Sequence, residues 1–379
     1  MKSKVALVRC DSYDYDKVKN AVNRGVDLIG GVDRFVKSNE NILLKPNLLM
    51  AFPPEKCATT HPAIFKAAAE LFKEKCKKLS YGDSPGFGSP ISVAKKCGIA
   101  QAAEETGTEL ADFKDGQEVI FEEGIHDKKF YIANGVLEND GVISLPKLKT
   151  HGLQKFTGCV KNQFGCIAGL VKADYHVKYP NAYDFAQMLV DINRYVKPRL
   201  YIMDGIMAME GNGPSGGKPK KMNILLFSSD PIALDATVCR LINVDPELVP
   251  TNRYGKEAGH GTFLENEIEL IGDDIIVFMD DYFDVDRNVI NPYKKSTFNL
   301  LSNIFVPKPV IKKPVCVKCG VCINVCPVNP KAVNWKNNNK TRPPVHNYSK
   351  CIRCFCCQEL CPEHAISIKK PLLRRVLDR

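Results

Sequence analysis

The segment CVKCGVCINVCP occupies residues 316–327, and the segment CIRCFCCQELCP repeats its cysteine spacing at residues 351–362. Each copy reads C-x2-C-x2-C-x3-C and ends in a proline. Cysteines at every third position of a tight loop can wrap three corners of a cubane cluster, whereas the fourth cysteine reaches a second cluster. The spacing therefore predicts two [4Fe–4S] clusters, one held by Cys316, Cys319, Cys322 and Cys361, the other by Cys351, Cys354, Cys357 and Cys326.

These segments resemble the bacterial two-cluster ferredoxin domain over about residues 308–370, since eight ligand cysteines and both prolines, Pro327 and Pro362, are in place. The resemblance implies an electron-transfer role and specifies no substrate. Zinc sites and disulfides are the alternatives, although zinc favours separated pairs of cysteines and disulfides favour a secreted protein. Cys356, which adjoins the ligand Cys357, is expected to be a spare thiol.

The chain of 379 residues is too long for a ferredoxin alone. We expect an α/β domain at residues 1–300, a linker at 301–314 that is rich in proline and lysine, and a ferredoxin-type domain at 315–379. No run approaches the roughly 18 apolar residues of a membrane-spanning helix. Sixteen cysteines in a chain with cluster motifs predict a reducing, cytoplasmic location.

Positive charge is concentrated in the cysteine-rich region. Residues 308–379 hold 15 Lys and Arg against 3 Asp and Glu, whereas the rest of the chain holds 38 against 40. A basic electron-transfer surface favours an acidic partner, such as an acidic ferredoxin or a flavodoxin. A solvated basic surface and a membrane or nucleic-acid contact are the alternatives. Nucleic acid is the weakest of them, because Trp335 is the sole tryptophan and the basic region lacks interleaved aromatic residues.

Strand-like and helix-like segments alternate through the first 300 residues, which predicts a mainly parallel sheet with helices on both faces. The predicted strands are Val5–Val8, Ile42–Leu44, Leu79–Gly82, Gly141–Leu145, Leu200–Met203 and Ile224–Phe227. The predicted helices are Tyr15–Ile29, His61–Lys77, Tyr183–Tyr195 and Asp230–Leu241. A basic loop is expected after Pro146.

Polar and glycine-rich segments follow several predicted strands, where the functional residues of parallel sheets gather. Lys147, Lys149 and His151 alternate, so they face one way if the segment is extended. Two ammonium groups beside an imidazole suit an anionic substrate, with His151 as acid or base. A solvated basic loop is the alternative. The catalytic candidates are His151, Lys147, Lys149, Asp83, Asp204 and Glu210, and the candidates for binding a cofactor are Lys45, Asn47, Gly82, Ser84, Gly211 and Gly213.

Five ordered motifs resemble the domain-of-unknown-function family 362, over about residues 1–275. They are ILLKPN at 42–47, GDSPG at 82–86, PKLKTH at 146–151, KNQFG at 161–165, and DG at 204–205 with EGNGP at 210–214. Members of this family often carry a ferredoxin tail. The resemblance implies an iron–sulfur protein and supplies no substrate.

The leading hypothesis is a ferredoxin-dependent reductase, in which electrons cross two clusters to a small anion bound by the lysines of the α/β domain. The second is a non-enzymatic electron carrier or cluster-delivery protein. The third is a non-redox isomerase or hydratase with structural clusters. The sequence does not specify a flavin, the electron donor or the oligomeric state.

Overall fold

The computed structural model describes residues 2–289 and 306–369. Residues 2–289 are called the large domain below, and residues 306–369 the module. Residues 1, 290–305 and 370–379 lie outside the described residues. They include the end of the predicted α/β domain, residues 301–305 of the predicted linker and the last ten residues of the predicted ferredoxin-type domain.

The large domain alternates strands and helices, as expected. Its strands are β1 (Ser3–Arg9), β2 (Asn41–Pro46), β3 (Lys78–Tyr81), β4 (Glu109–Leu110), β5 (Gly116–Ile120), β6 (Lys129–Ala133), β7 (Gly141–Leu145), β8 (Lys147–His151), β9 (Lys155–Thr157), β10 (Leu200–Glu210), β11 (Lys218–Ser228) and β12 (Ile268–Gly272). Its helices are α1 (Tyr15–Leu28), α2 (Pro62–Lys73), α3 (Pro90–Lys96), α4 (Ile99–Thr106), α5 (Asn134–Leu137), α6 (Cys159–Asn162), α7 (Lys172–Lys178), α8 (Ala182–Val196), α9 (Pro231–Leu241) and α10 (Pro250–Glu257).

Ten strands form one sheet in the order β12-β1-β11-β10-β7-β2-β3-β4, with β8 paired to β10 and β9 paired to β8. Six of the strand pairs in this sheet are parallel, and three are antiparallel, namely β1–β11, β10–β11 and β8–β9. The α/β fold with a mainly parallel sheet is confirmed.

Helices cover both faces of the sheet. Leu44 and Ile202 pack with residues of α1 and α2 in one core, whereas Tyr201 and Met203 pack with residues of α9 in another. The side chains of α8 join a third core with Leu43. Because neighbouring residues of one strand point to opposite faces, this division into cores follows directly from the strand geometry.

Helix α2 is shorter than its sequence pattern predicts. It begins where His61 Nδ1 accepts a hydrogen bond from the Ala63 amide at 3.2 Å and Pro62 takes the first helical position. The predicted helix continued to Lys77, but α2 ends at Lys73. The Lys77 amide instead donates to the Glu40 carbonyl at 2.9 Å, which turns the chain into β3.

The basic segment after Pro146 is a buried strand and not the predicted loop. Strand β8 pairs in parallel with β10 and antiparallel with β9, and all five of its residues are buried. The alternative of a solvated basic loop is therefore wrong.

The module contains strands β13 (Lys308–Ile311), β14 (Val333–Asn334), β15 (Val345–His346) and β16 (Ile366–Lys369), and helices α11 (Val321–Asn324) and α12 (Cys356–Glu359). Strand β13 pairs antiparallel with β16. Residues 308–311, expected to be linker, are therefore part of the module, because the backbone of β16 supplies their hydrogen-bond partners.

Within residues 2–289 and 306–369, no helix is long and apolar enough to cross a membrane.

Candidate functional site

Eight cysteines of the module surround two pockets. Cys316, Cys319, Cys322 and Cys361 line one pocket, of ≈ 340 Å³. Cys326, Cys351, Cys354 and Cys357 line the other, of ≈ 320 Å³. Each pocket thus draws three cysteines from one repeat and the fourth from the other, as the spacing predicts. The assignment of these thiolates as ligands stays a prediction.

The donor chemistry of the two pockets fits [4Fe–4S] clusters better than the alternatives. All sixteen cysteines are free thiols, so the disulfide alternative finds no pair. Zinc favours separated pairs of cysteines, whereas each pocket takes three of its cysteines from one closely spaced run. Backbone amides of Ala332 and Ala365 donate to the sulfurs of Cys326 and Cys361 at 3.4 and 3.2 Å. Such N–H···S bonds stabilise thiolates that hold clusters.

Helix α12 connects the cysteines to the large domain. Gln358 Nε2 donates to Asn212 Oδ1 at 3.0 Å and to the Gly213 carbonyl at 3.1 Å. Ser215 Oγ donates to the Glu359 carbonyl at 2.5 Å. Leu360 packs in an apolar cluster with large-domain residues that include Phe52 and Met209. The segment between ligand candidates Cys357 and Cys361 is therefore anchored on the large domain.

His151 and Glu359 meet across this contact. His151 Nδ1 accepts hydrogen bonds from the amides of Leu153 and Gln154 at 3.1 and 3.2 Å, so the ring proton lies on Nε2. Nε2 faces Glu359 Oε1 at 3.1 Å. The contact joins a buried imidazole of the large domain to a buried carboxylate of the module.

Burial and the mutual attraction of the two groups shift the pKa values of His151 and Glu359. Burial lowers the pKa of His151, and Glu359 partly opposes that shift. Burial alone would raise the pKa of Glu359, but His151, Lys161 and His176 together lower it to about 2. Each of the two groups therefore opposes the effect of burial on the pKa of the other.

Lys45 and Asp83 form a second buried charged contact in the large domain. Lys45 Nζ lies 2.8 Å from Asp83 Oδ1, and both side chains are buried. Asp83 Oδ2 also accepts a hydrogen bond from the Leu48 amide at 2.6 Å. A Cβ atom at Gly165 would lie 1.7 Å from Asp83 Oδ1, so only glycine at that position leaves room for the pair.

Lys147 and Asp204 form a third contact, next to the first two. Lys147 Nζ lies 2.8 Å from Asp204 Oδ2, and Tyr13 Oη donates to Asp204 Oδ1 at 2.7 Å. The His61 amide donates to Asp204 Oδ2 at 3.0 Å. Burial and the Asp204 charge raise the pKa of Tyr13 well above its ordinary value, so it is a neutral donor here.

Lys149 lies between these pairs and has no carboxylate of its own. Its Nζ donates to Asn47 Oδ1 at 2.7 Å and to the Ala58 carbonyl. Asn47 Nδ2 in turn donates to Asn162 Oδ1 at 3.0 Å. Burial, followed by the charge of Lys161, lowers the pKa of Lys149 well below its ordinary value. An anion placed beside this amine would favour its charged form.

Four important residues of this interior were not among the sequence candidates. Lys172 Nζ donates to the carbonyls of Ser84 and Pro85, and burial lowers its pKa to about 7. His176 stacks on Phe185, and burial lowers its pKa to about 4. The other two are Lys161 and Glu359. Glu359 could have been noticed, because only two acids occur among residues 306–369 and this one stands between two ligand cysteines.

Several predicted site residues lie elsewhere or serve the backbone. Glu210 accepts from the Asp284 amide at 3.0 Å and lies 3.9 Å from Lys220, apart from the interior lysines. Gly211 and Gly213 form the loop that receives α12. The amides of Gly82 and Ser84 bond to the carbonyls of Leu44 and Gly165. The structure thus brings together Lys45, Asn47, Asp83, Ser84, Lys147, Lys149, His151 and Asp204, but not Glu210.

Comparison with known proteins adds the family. A domain of unknown function, DUF362, matches residues 42–240, which is more than half of the chain. The chain belongs to the DUF362 family. A 4Fe-4S dicluster domain matches residues 308–362, so this DUF362 protein carries an iron–sulfur module of the ferredoxin type.

One curated relative and two solved structures are similar to this DUF362 chain. It is 35% identical over 252 residues to the thylakoid-associated protein sll1697 of Synechocystis sp., covering 66% of this chain and 78% of the relative. The lactate racemase apoprotein of Thermoanaerobacterium thermosaccharolyticum matches with a TM-score of 0.39 and 14% identity, over 61% of this chain and 55% of that one. A protein from Thermotoga maritima matches with a TM-score of 0.37 and 14% identity, over 59% and 57%. The DUF362 chain therefore spans little more than half the length of either structure, and neither likeness carries a functional argument.

Proposed function

We propose that this protein is an iron–sulfur oxidoreductase that delivers electrons from the module to a small anionic substrate inside the large domain. The observation that carries this proposal is the contact between His151 and Glu359, at 3.1 Å. Glu359 stands two residues from Cys357 and two from Cys361. The segment that would hold both clusters therefore touches the lysine-lined interior, which a separate electron carrier would not require.

The residue types and their spacing around the two pockets fit two [4Fe–4S] clusters, which when bound would supply electrons one at a time. The side chains of the large domain would then handle charge and protons. Lys149 would stabilise negative charge on the substrate, and the buried surroundings would strengthen that interaction. His151 carries its proton on Nε2, on the side that faces Glu359. It would donate this proton to a substrate bound on that side.

The partner that supplies electrons is proposed to be an acidic protein. Among residues 306–369 there are eleven Lys and Arg but two Glu, and one of these, Glu359, is buried. Cys319 is exposed, and the neighbouring apolar side chains of Val315 and Val317 are 45% and 55% exposed. A basic surface with an apolar centre beside a ligand cysteine suits electrostatic steering of an acidic ferredoxin or flavodoxin. The cytoplasmic location is part of the same proposal and rests on the cysteine content.

The function is tested with anaerobically purified protein. Iron and sulfide are counted first, and about eight iron atoms per chain are expected for two clusters. The protein is then reduced with a viologen dye, and its reoxidation is followed with a panel of small organic anions. Turnover of at least one anion is expected, and Lys149→Met should lower that turnover by about 100-fold or more. Lys96→Met, an exposed lysine on α3, serves as the matched control and should leave it unchanged.

His151→Asn sharpens the test, because asparagine keeps an acceptor near the Leu153 and Gln154 amides but lacks the Nε2–H group. The expected loss of turnover is about 10²-fold or more. Equal turnover in wild type, Lys149→Met and His151→Asn would overturn the proposal. Reoxidation by acceptor proteins but by none of the anions would favour the electron carrier instead. Clusters that cannot be reduced reversibly would favour the isomerase or hydratase.

A further inference from the structure

Glu359 is an acidic side chain of the module that lies among basic side chains of the large domain. It is 7% exposed and interacts electrostatically with His151, Lys161 and His176. Within the described residues, Lys149, Lys161 and Lys172 have no carboxylate at ion-pair distance. The interior therefore holds more basic than acidic side chains, and Glu359 is the acidic side chain that the module contributes to it.

The contact of Glu359 differs from the two structural ion pairs of the same interior. In the Lys45–Asp83 and Lys147–Asp204 pairs the charged atoms lie 2.8 Å apart, and each carboxylate accepts further hydrogen bonds. Asp83 and Asp204 each accept a hydrogen bond from a backbone amide, whereas the Glu359 carboxylate has only its 3.1 Å contact with His151 Nε2 among the described residues.

His176 adds a second group of the same kind. Its Nδ1 is buried without a hydrogen-bond partner in the described part of the chain, and the residue is 8% exposed. Buried polar atoms are rarely left unpaired in a finished structural contact.

We propose that the position of the Glu359 side chain is a binding site of the large domain for a small carboxylate anion, filled in this structure by the chain's own carboxylate. This inference rests on the proposed function and gives the substrate class: an organic acid whose carboxylate contacts His151, with Lys161 as a neighbouring basic group. The substrate carboxylate and Glu359 then exclude each other. Binding of the substrate would draw Glu359 away and loosen the contact of α12 with the large domain.

The test replaces the internal carboxylate by an external one. In the full-length protein with its clusters, Glu359→Ala removes the side chain, and acetate is the probe. Acetate should raise the thermal midpoint of this variant by at least about 2 °C, because a ligand that binds the folded state stabilises it. Its apparent affinity should be at least about tenfold tighter than for the wild type, in which Glu359 competes. Sodium chloride keeps the ionic strength constant.

The matched control is Glu363→Ala, which removes an exposed glutamate of the same module and should respond to acetate as the wild type does. Adding Lys161→Met to Glu359→Ala should abolish the response. Hydrogen exchange of residues 356–360 in the wild type gives a second readout that needs no variant, and acetate should speed it. The proposal is overturned if Glu359→Ala responds no more than Glu363→Ala, if sulfate acts as well as acetate, or if exchange is unchanged.

These measurements do not require turnover. A response to acetate without any reducible anion would keep the carboxylate site and reject the oxidoreductase. Turnover of an anion without any response to acetate would keep the oxidoreductase and reject the site.

Discussion

Asp204 shows how a charged residue is tolerated in the interior of this protein. Its two oxygens receive Tyr13 Oη, Lys147 Nζ and the His61 amide, at 2.7, 2.8 and 3.0 Å. The side chain is fully buried. These contacts offset the desolvation of both charges, so removal of one partner leaves the other charge uncompensated.

Asp204→Ala is therefore expected to lower the free energy of unfolding by about 3–5 kcal/mol. Anaerobic urea denaturation, followed by fluorescence, would measure the change. Asp11→Ala is the control, because Asp11 pairs with Lys17 at 2.9 Å on the surface and should change stability little. A loss for Asp204→Ala as small as that for Asp11→Ala would show that Lys147 has another route to compensation.

The predicted site residues that the structure brings together share a local signal. Lys45, Lys147 and Lys149 are charged residues next to apolar strands, and that position alone indicates the sheet edge. Lys172 and His176 carry no such signal, because helix α7 reads like any polar helix and only the tertiary fold turns it inward. Glu359 depends on the docking of a second domain, which local pattern does not encode.

Helix α12 has only four residues, yet it makes most of the polar contacts between the module and the large domain. Gln358 is 1% exposed, and its Nε2 group reaches the carbonyl oxygens of Asn212 and Gly213 as well as Asn212 Oδ1. An isolated helix of this length is not stable in water. Its position is therefore set by these contacts and by the cysteine loops on either side.

Gln358→Ala should weaken the docking of the module by about 1–3 kcal/mol, because the buried carbonyls lose their donor. Hydrogen exchange of residues 210–216 and 356–360 should become faster, with the rest of the large domain unchanged. Gln117→Ala, an exposed glutamine on β5, provides the comparison. If exchange accelerates equally throughout the large domain, Gln358 supports the fold in general and not the docking contact.

At the level of elements, the sequence predicted the bounds of the mainly apolar strand β7 but not those of strands that combine apolar with polar residues. Strand β7 begins and ends where its pattern predicts. Strands β10 and β11 extend far beyond the predicted Leu200–Met203 and Ile224–Phe227, because they pair with each other as a long hairpin. The hairpin passes through Gly205, where the pairing register shifts, and sequence pattern alone treats such a glycine as the end of a strand.

At the scale of the whole molecule, charge divides the chain into two electrostatically different parts. The basic residues Lys312, Lys313 and Lys318 are exposed around Cys319, whereas the interior lysines of the large domain are shielded from solvent. Salt screens the first group and has little effect on the second. Electron delivery and substrate binding should therefore differ in their dependence on ionic strength.

Reduction of the module by an acidic flavodoxin should become slower as salt is added, and Lys318→Glu should lower the rate at low salt by about tenfold. Stopped-flow spectroscopy of the cluster absorbance measures both effects. Lys96→Glu changes the same charge on the large domain and should have little effect. A rate that is independent of salt in the wild type would contradict an acidic partner.

The pairing of β13 with β16 places Lys308 opposite Lys369, at the two ends of the module. A unit whose first and last strands are neighbours joins the rest of a chain at a single point, so it can be inserted, moved or exchanged without threading other segments through it. The module is such a unit, because its first and last strands pair with each other. Among the described residues, the large domain meets this unit with the loop at 212–215, with the apolar cluster that includes Phe52 and Met209, and with the basic recess around His151.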